Sequence, residues 1–103
     1  MKVEEDFKVI EHYLCIKMPR EVDHHNAGNI AEAADEMICK SEVRNLIFDF
    51  SDTEFMDSSG IAVVVRTARK CAAYGGRLSV SNTPSQAKKV LLTAGIHRLV
   101  EIR

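Results

Sequence analysis

Short apolar segments alternate with stretches of helical periodicity along nearly the whole chain, and this alternation restricts the fold more than any other feature. Phe7–Ile10 and Tyr13–Met18 carry the short, β-rich pattern of strands, joined around Glu11 and His12. Pro19 ends the second strand because it has no N–H to give to a sheet ladder. Asp23 suits the N-cap of the next segment, where a carboxylate accepts free amide protons of the first turn. Ile30, Ala33, Ala34, Met37 and Ile38 then recur at helical spacing and predict an amphipathic helix over roughly His24–Lys40. The apolar run Leu46–Phe50 reads as a strand buried on both faces.

After a loop over Ser51–Asp57, a second helix is expected at about Ser59–Tyr74. Ile61, Val64, Val65, Ala68 and Ala72 mark its inner stripe, while Arg66, Arg69 and Lys70 face water. Gly75-Gly76 supplies the positive-φ stop, and Arg77–Ser81 is the next strand. Thr83-Pro84-Ser85-Gln86 has the form of a capping box with proline at the first helical position. The helix it opens runs to Gly95, followed by apolar Ile96 as in a Schellman ending, and Leu99–Ile102 reads as a final strand. The order is therefore β-β-α-β-α-β-α-β. Strands separated by single helices imply right-handed crossovers and a mostly parallel core, with the opening hairpin adding an antiparallel edge. The expected class is α/β.

No repeat, low-complexity stretch or linker divides the 103 residues, so residues 1–103 are expected to form one domain with room for one core and little for a deep private active site. A formal charge of −1 gives no reason to expect nucleic acid or an anionic membrane, both of which require clustered Lys and Arg. No apolar run approaches a membrane span, and Met1–Glu11 lacks the pattern of a signal peptide, so a cytoplasmic location is expected. Cys15, Cys39 and Cys71 are odd in number, widely spaced and within or beside apolar segments. They are expected to be reduced thiols that pack the core.

The most informative segment is Phe55-Met56-Asp57-Ser58-Ser59-Gly60-Ile61. An apolar strand delivers a loop ending in an acid, two hydroxyls and a glycine, which then enters a helix. In an α/β sheet that places the hydroxyls beyond the carboxyl ends of the strands, where ligands and partners are met. A phosphate on such a hydroxyl would lie beside free backbone N–H groups and the positive end of the helix dipole. Gly60 removes a side chain there, allowing another backbone or a nucleotide to approach. The bland alternative is that Ser58 or Ser59 caps the helix and Asp57 adds favourable charge to its first turn.

Asp57-Ser58-Ser59-Gly60, preceded by Phe55-Met56, resembles the phosphorylation motif of STAS-domain anti-sigma factor antagonists. Glu21-Val22-Asp23-His24-His25-Asn26-Ala27 is similar to the G-E-L-D-H-H-T-A turn of sporulation-type members. The resemblance covers nearly the whole chain. It implies a STAS fold, with a mostly parallel four- to five-stranded sheet, an N-terminal antiparallel edge and about three packed helices. It also implies a partner-switching cycle. The unphosphorylated antagonist binds an anti-sigma factor that is a serine kinase and releases the sigma factor; phosphorylation, here at Ser58, ends the complex, and a serine phosphatase restores it.

Partner contacts would then fall on Asp23, Asp57, Ser58, Ser59 and Gly60, with no catalytic residue, no metal and no cofactor, and with nucleotide met through the kinase. Three departures stand out. Pro19-Arg20 replaces the usual glycine before the acidic turn, Ile61-Ala62 stands where leucine-glycine is common, and the sequence stops at Arg103 before the final helix of many members, which is expected to leave some sheet surface exposed.

Other chemistries fit less well. His24 and His25 are adjacent, so on a helix they point about 100° apart and cannot share a metal as i, i+4 ligands do. His12 and His97 read as isolated surface or packing residues. A serine hydrolase built on Ser58 lacks the G-x-S-x-G elbow and space for an oxyanion hole. The main rival is a non-enzymatic STAS scaffold subunit of a stress-signalling or transport complex.

Overall fold

The computed structural model describes residues 7–10, 13–40 and 44–103, and His12, expected as a surface or packing residue, lies outside them. Five strands form the main sheet: β1 (Phe7–Ile10), β2 (Tyr13–Lys17), β4 (Asn45–Asp49), β6 (Arg77–Ser81) and β7 (Glu101–Ile102), in the spatial order β1-β2-β4-β6-β7. β1 pairs antiparallel with β2, and every other neighbouring pair is parallel. Two further strands, β3 (Glu21–Val22) and β5 (Phe55–Met56), make a separate parallel ribbon. The helices are α1 (Ala27–Lys40), α2 (Ser58–Ala73) and α3 (Ser85–Thr93), with a short 3₁₀ turn at Ile96–Arg98.

Strand alternation decides which face of the sheet is covered. Leu14, Leu46 and Leu78 lie in one register row, and Ile16, Phe48 and Val80 in another; all six are buried. Ile30, Ala34 and Ile38 of α1, Val63, Val64 and Cys71 of α2, and Ala87 and Leu91 of α3 complete that core. Each large aliphatic side chain so buried contributes roughly 1.5–3 kcal/mol relative to exposure.

The other face is less covered. Cys15, Ile47 and Ser79 are only half-buried, so β4 is not buried on both faces as its apolar run suggests. On that side a groove of about 450 Å³ is lined by Tyr13, Ile47, Arg77, Leu99, Glu101 and Arg103, among others.

Several boundaries differ from expectation for local reasons. α1 starts at Ala27 because residues 24–26 form a turn held by Asp23 and Asn26 side chains. The buried stripe of α2 is Gly60, Val63, Val64, Thr67 and Cys71; Ile61, Val65 and Ala68 are partly buried, and Ala72 is exposed. Arg66 does reach the surface, where it donates to Asp35 Oδ2 through Nε at 3.1 Å and Nη2 at 2.6 Å, tying α2 to α1.

The capping box at α3 does not form. Pro84 is the N-cap and has no side-chain cap bond, Thr83 Oγ1 donates to the Arg103 carbonyl, and Gln86 turns elsewhere. The expected last strand shortens to Glu101–Ile102 because Ile96–Arg98 coil first, leaving Leu99 exposed.

Both glycines stop their helices, but only the Gly75-Gly76 stop shows both Schellman bonds; at Gly95 the N–H donates to the Leu92 carbonyl at 3.0 Å. Gly75 (φ 77°) and Gly95 (φ 76°) are left-handed, and the N–H groups of Gly75 and Gly76 reach the carbonyls of Ala72 and Cys71 in a Schellman pattern. Of the thiols, Cys71 is buried, Cys15 half-buried and Cys39 exposed, its Sγ lying 3.3 Å from Tyr74 Oη. Cys39 is therefore no core residue. No helix among the described residues is long and apolar enough to cross a membrane.

Candidate partner-binding site

The two motifs singled out in the sequence are brought together by the small ribbon. Its register sets Glu21 opposite Phe55 and Val22 opposite Met56, so the chain delivers Asp23 and Asp57 side by side. The Asp57 N–H extends the ladder by donating to the Val22 carbonyl at 3.1 Å. Val22 and Met56 are wholly buried and anchor the ribbon, while Glu21 and Phe55 point outward.

Further bonds join the two loops. The Arg20 carbonyl accepts from the N–H groups of Glu54 and Phe55, and the buried Thr53 hydroxyl donates to the Pro19 carbonyl at 2.8 Å. Pro19-Arg20 thus supplies acceptors to the opposite loop. At the outer edge of β5, Gln86 takes the place of a strand: Met56 N–H donates to its Oε1, and its Nε2 donates to the Met56 carbonyl, both at 3.1 Å.

Asp57 is the N-cap of α2. Its backbone is extended (φ −101°, ψ −171°), and its Oδ1 accepts the Ser59 N–H at 2.8 Å. Neither serine is needed for that task, so the reading of Ser58 or Ser59 as the cap falls away. Ser58 is the first helical residue; it is exposed, and its hydroxyl has no hydrogen-bond partner among the described residues. Ser59 is half-buried and lines a groove of about 180 Å³ between α1 and α2, with Ala27, Gly28, Ala31, Val63 and Arg66.

Gly60 is buried. A Cβ there would sit 2.3 Å from Met56 Cγ, 2.5 Å from Met56 Sδ and 3.2 Å from Val22 Cγ1. The space left by its missing side chain goes to the ribbon beneath it, not to an approaching partner, which corrects the reason first given for this residue.

Asp23 closes the turn before α1. Its Oδ1 accepts the His25 N–H at 2.9 Å and, more weakly, the Asn26 N–H at 3.4 Å, while Asn26 Oδ1 accepts the Asp23 N–H at 3.1 Å. The His25 N–H chiefly holds the Asp23 carboxyl below its ordinary value; partial burial opposes this, and the Asn26 N–H and neighbouring histidines add to it.

His24 and His25 lie in this turn and not on a helix, and their rings stack at 4.0 Å with a 37° tilt. His24 Nδ1 is 3.9 Å from Asp57 Oδ2, and His25 Nδ1 is 3.7 Å from Asp23 Oδ1. Each histidine thus faces one of the two acids. Among the described residues no group of three or more His, Cys, Asp or Glu is placed to hold a metal. Gln86 was invisible as a site residue because its partner is main chain contributed by a distant segment. His24 carried a signal, the adjacent acid and imidazoles, whose geometry the helical reading misplaced.

The sequence profile of the STAS domain matches residues 5–103. The chain belongs to the STAS domain family. This STAS domain is 24% identical over 96 residues to the anti-sigma F factor antagonist of Paenibacillus polymyxa, a match covering 90% of this chain and 82% of the relative. Its fold is similar to the anti-sigma factor antagonist SpoIIAA in its unphosphorylated form, with TM-score 0.83 and 26% identity over 94% of this chain and 85% of that one. It is also similar to the Bacillus cell fate determinant SpoIIAA in the phosphorylated form, with TM-score 0.73 and 27% identity over 94% of this chain and 90% of the other.

Proposed function

We propose that this STAS domain is an anti-sigma factor antagonist switched by phosphorylation of Ser58. The observation that carries the reading is the state of that hydroxyl, exposed and uncommitted beside a carboxylate that already caps the helix. Ser58 is free to be modified without removing a bond the fold uses. The similarity to an antagonist known in unphosphorylated and phosphorylated forms supports the same assignment.

In the proposed cycle the unmodified domain binds an anti-sigma factor serine kinase in the cytoplasm and frees the sigma factor. Asp23, Asp57 and Ser59 contribute to the contact around Ser58, and Gly60 acts from below by letting the ribbon pack. The domain performs no chemistry itself. A phosphoryl group adds about −1.5 to −2 charge beside Asp57. On the free surface that charge is solvated and faces the α2 N-terminus, so the fold tolerates it. Within a closed interface, an uncompensated dianion costs several kcal/mol, and each ~1.4 kcal/mol is a tenfold loss of affinity. A serine phosphatase then resets the domain.

The test is intact mass after incubation with the host's anti-sigma kinase and Mg-ATP, comparing wild type with Ser58→Ala. One added phosphate in wild type alone is expected. No phosphate on wild type, with a kinase proven active on another antagonist, would overturn the assignment in favour of a STAS scaffold subunit.

A further inference from the structure

A phosphoryl group on Ser58 would arrive where two carboxylates, Asp23 and Asp57, already stand side by side. The charges that face this point are few. From the β3–β5 side, Arg20 is paired with Glu54 at 2.6 Å, and Glu21 adds a further acid. From α2, Arg66 is held by Asp35. The first turn of α1 carries no acid, and its residues Ala27-Gly28-Asn29 carry no charge at all. From α3, Lys89 lines a shallow apolar groove with Ile61 and Val90. On the turn itself stand only His24 and His25, both largely exposed.

These two histidines are not equivalent. His25 leans on Asp23, whereas His24 leans on Asp57, the immediate neighbour of Ser58. The 3.9 Å between His24 Nδ1 and Asp57 Oδ2 is too long for a hydrogen bond, so the ring is free to turn toward a new acceptor.

We propose that His24 is the counter-charge for the phosphoryl group on Ser58, a positioning residue that holds the modified serine against the turn. The inference rests on the reading of Ser58 as the modified residue. The imidazolium of His24 would hold the phosphate against the turn and offset its repulsion from Asp57.

The test needs no kinase. Phosphoserine is installed at position 58 during translation, and the phosphate's second ionisation is followed by ³¹P NMR in low salt for the otherwise wild-type chain, His24→Gln and His25→Gln. A cation stabilises the dianion, so removing His24 should move the midpoint up by about half a pH unit, as expected for unit charges ~6 Å apart across water. His25→Gln should move it by less than half as much. The same midpoint in His24→Gln as in the reference, or the larger shift in His25→Gln, would overturn the proposal. Either result leaves the kinase experiment untouched, so failure of this inference and failure of the Ser58 switch are read separately.

Discussion

Replacing Gly60 with alanine tests whether the ribbon beneath the acids is as tightly built as the geometry says. A Cβ at this position would lie 2.3 Å from Met56 Cγ and 2.5 Å from Met56 Sδ, far inside contact distance. Met56 is wholly buried, so its side chain cannot swing out to solvent. Alanine in a helix interior gains up to about 1 kcal/mol over glycine, and less at the third helical position occupied here. Overpacking of this severity costs about 1–3 kcal/mol, so Gly60→Ala should destabilise by about 1–2 kcal/mol net.

The cause can be isolated with Met56→Ala, which by itself costs about 2–5 kcal/mol through loss of buried volume. With the thioether gone, the 2.3 and 2.5 Å clashes disappear and Val22 Cγ1 at 3.2 Å remains, so alanine at position 60 should become neutral or mildly stabilising. Urea unfolding of the four proteins gives the coupling, expected to favour the double variant by at least about 1 kcal/mol over additivity. Additivity within about 0.5 kcal/mol, or a Gly60→Ala protein as stable as wild type, would refute the steric argument.

Gln86→Ala should cost about 1–3 kcal/mol, because it strands the buried edge of Met56, and amide exchange at Met56 should quicken more than at Leu46. Asp57→Ala removes the α2 cap and should lose about 1 kcal/mol in thermal or urea melts, whereas Ser58→Ala should stay within about 0.5 kcal/mol. Asp49 is partly buried, which would raise its carboxyl, but donation from Asn82 and Ser51 and the charge of Lys17 outweigh burial and hold it below its ordinary value. A depressed carboxyl stabilises above its ordinary range and loses that contribution as pH falls through its folded value. The acid limb of wild type below about pH 4 should therefore be steeper than that of Asp49→Asn. Burial pushes the Cys71 thiol up to about 11, so iodoacetamide at pH 8 should label exposed Cys39 well before Cys71, as peptide mass spectrometry would show.

The four longer strands of the main sheet and all three helices were legible because each carries several residues of one periodicity. Arg77–Ser81 and the glycine stops at Gly75 and Gly95 needed nothing beyond local chemistry. Errors gathered where tertiary contacts overrule local pattern. His24–Asn26 could continue a helix, yet the Asp23 and Asn26 side chains satisfy the backbone as a turn. The inner face of α2 includes Gly60, Thr67 and Cys71, which an apolar count passes over, while apolar Ala72 is left outside. Thr83-Pro84-Ser85-Gln86 has every residue of a capping box, but Gln86 gains two main-chain bonds by reaching β5 instead.

The strands β3 and β5 hold two residues each, too few for any alternation to register, and their pairing is a contact between distant parts of the chain. Yet this ribbon is what converts two separate motifs into one site. A slip of one residue would turn Val22 or Met56 outward and separate Asp23 from Asp57. The exposed Arg20–Glu54 ion pair is too solvated and too screened to prevent that slip. The register is held instead by the buried Val22 and Met56, by the Thr53 hydroxyl on Pro19, by the close fit of Gly60 and by the two bonds of Gln86. None of these residues needs to meet a partner, yet together they fix where Asp23, Asp57 and Ser58 stand. Substitutions among them should therefore weaken partner binding through the placement of the acids, while Ser58 itself can be changed or charged with little effect on the fold.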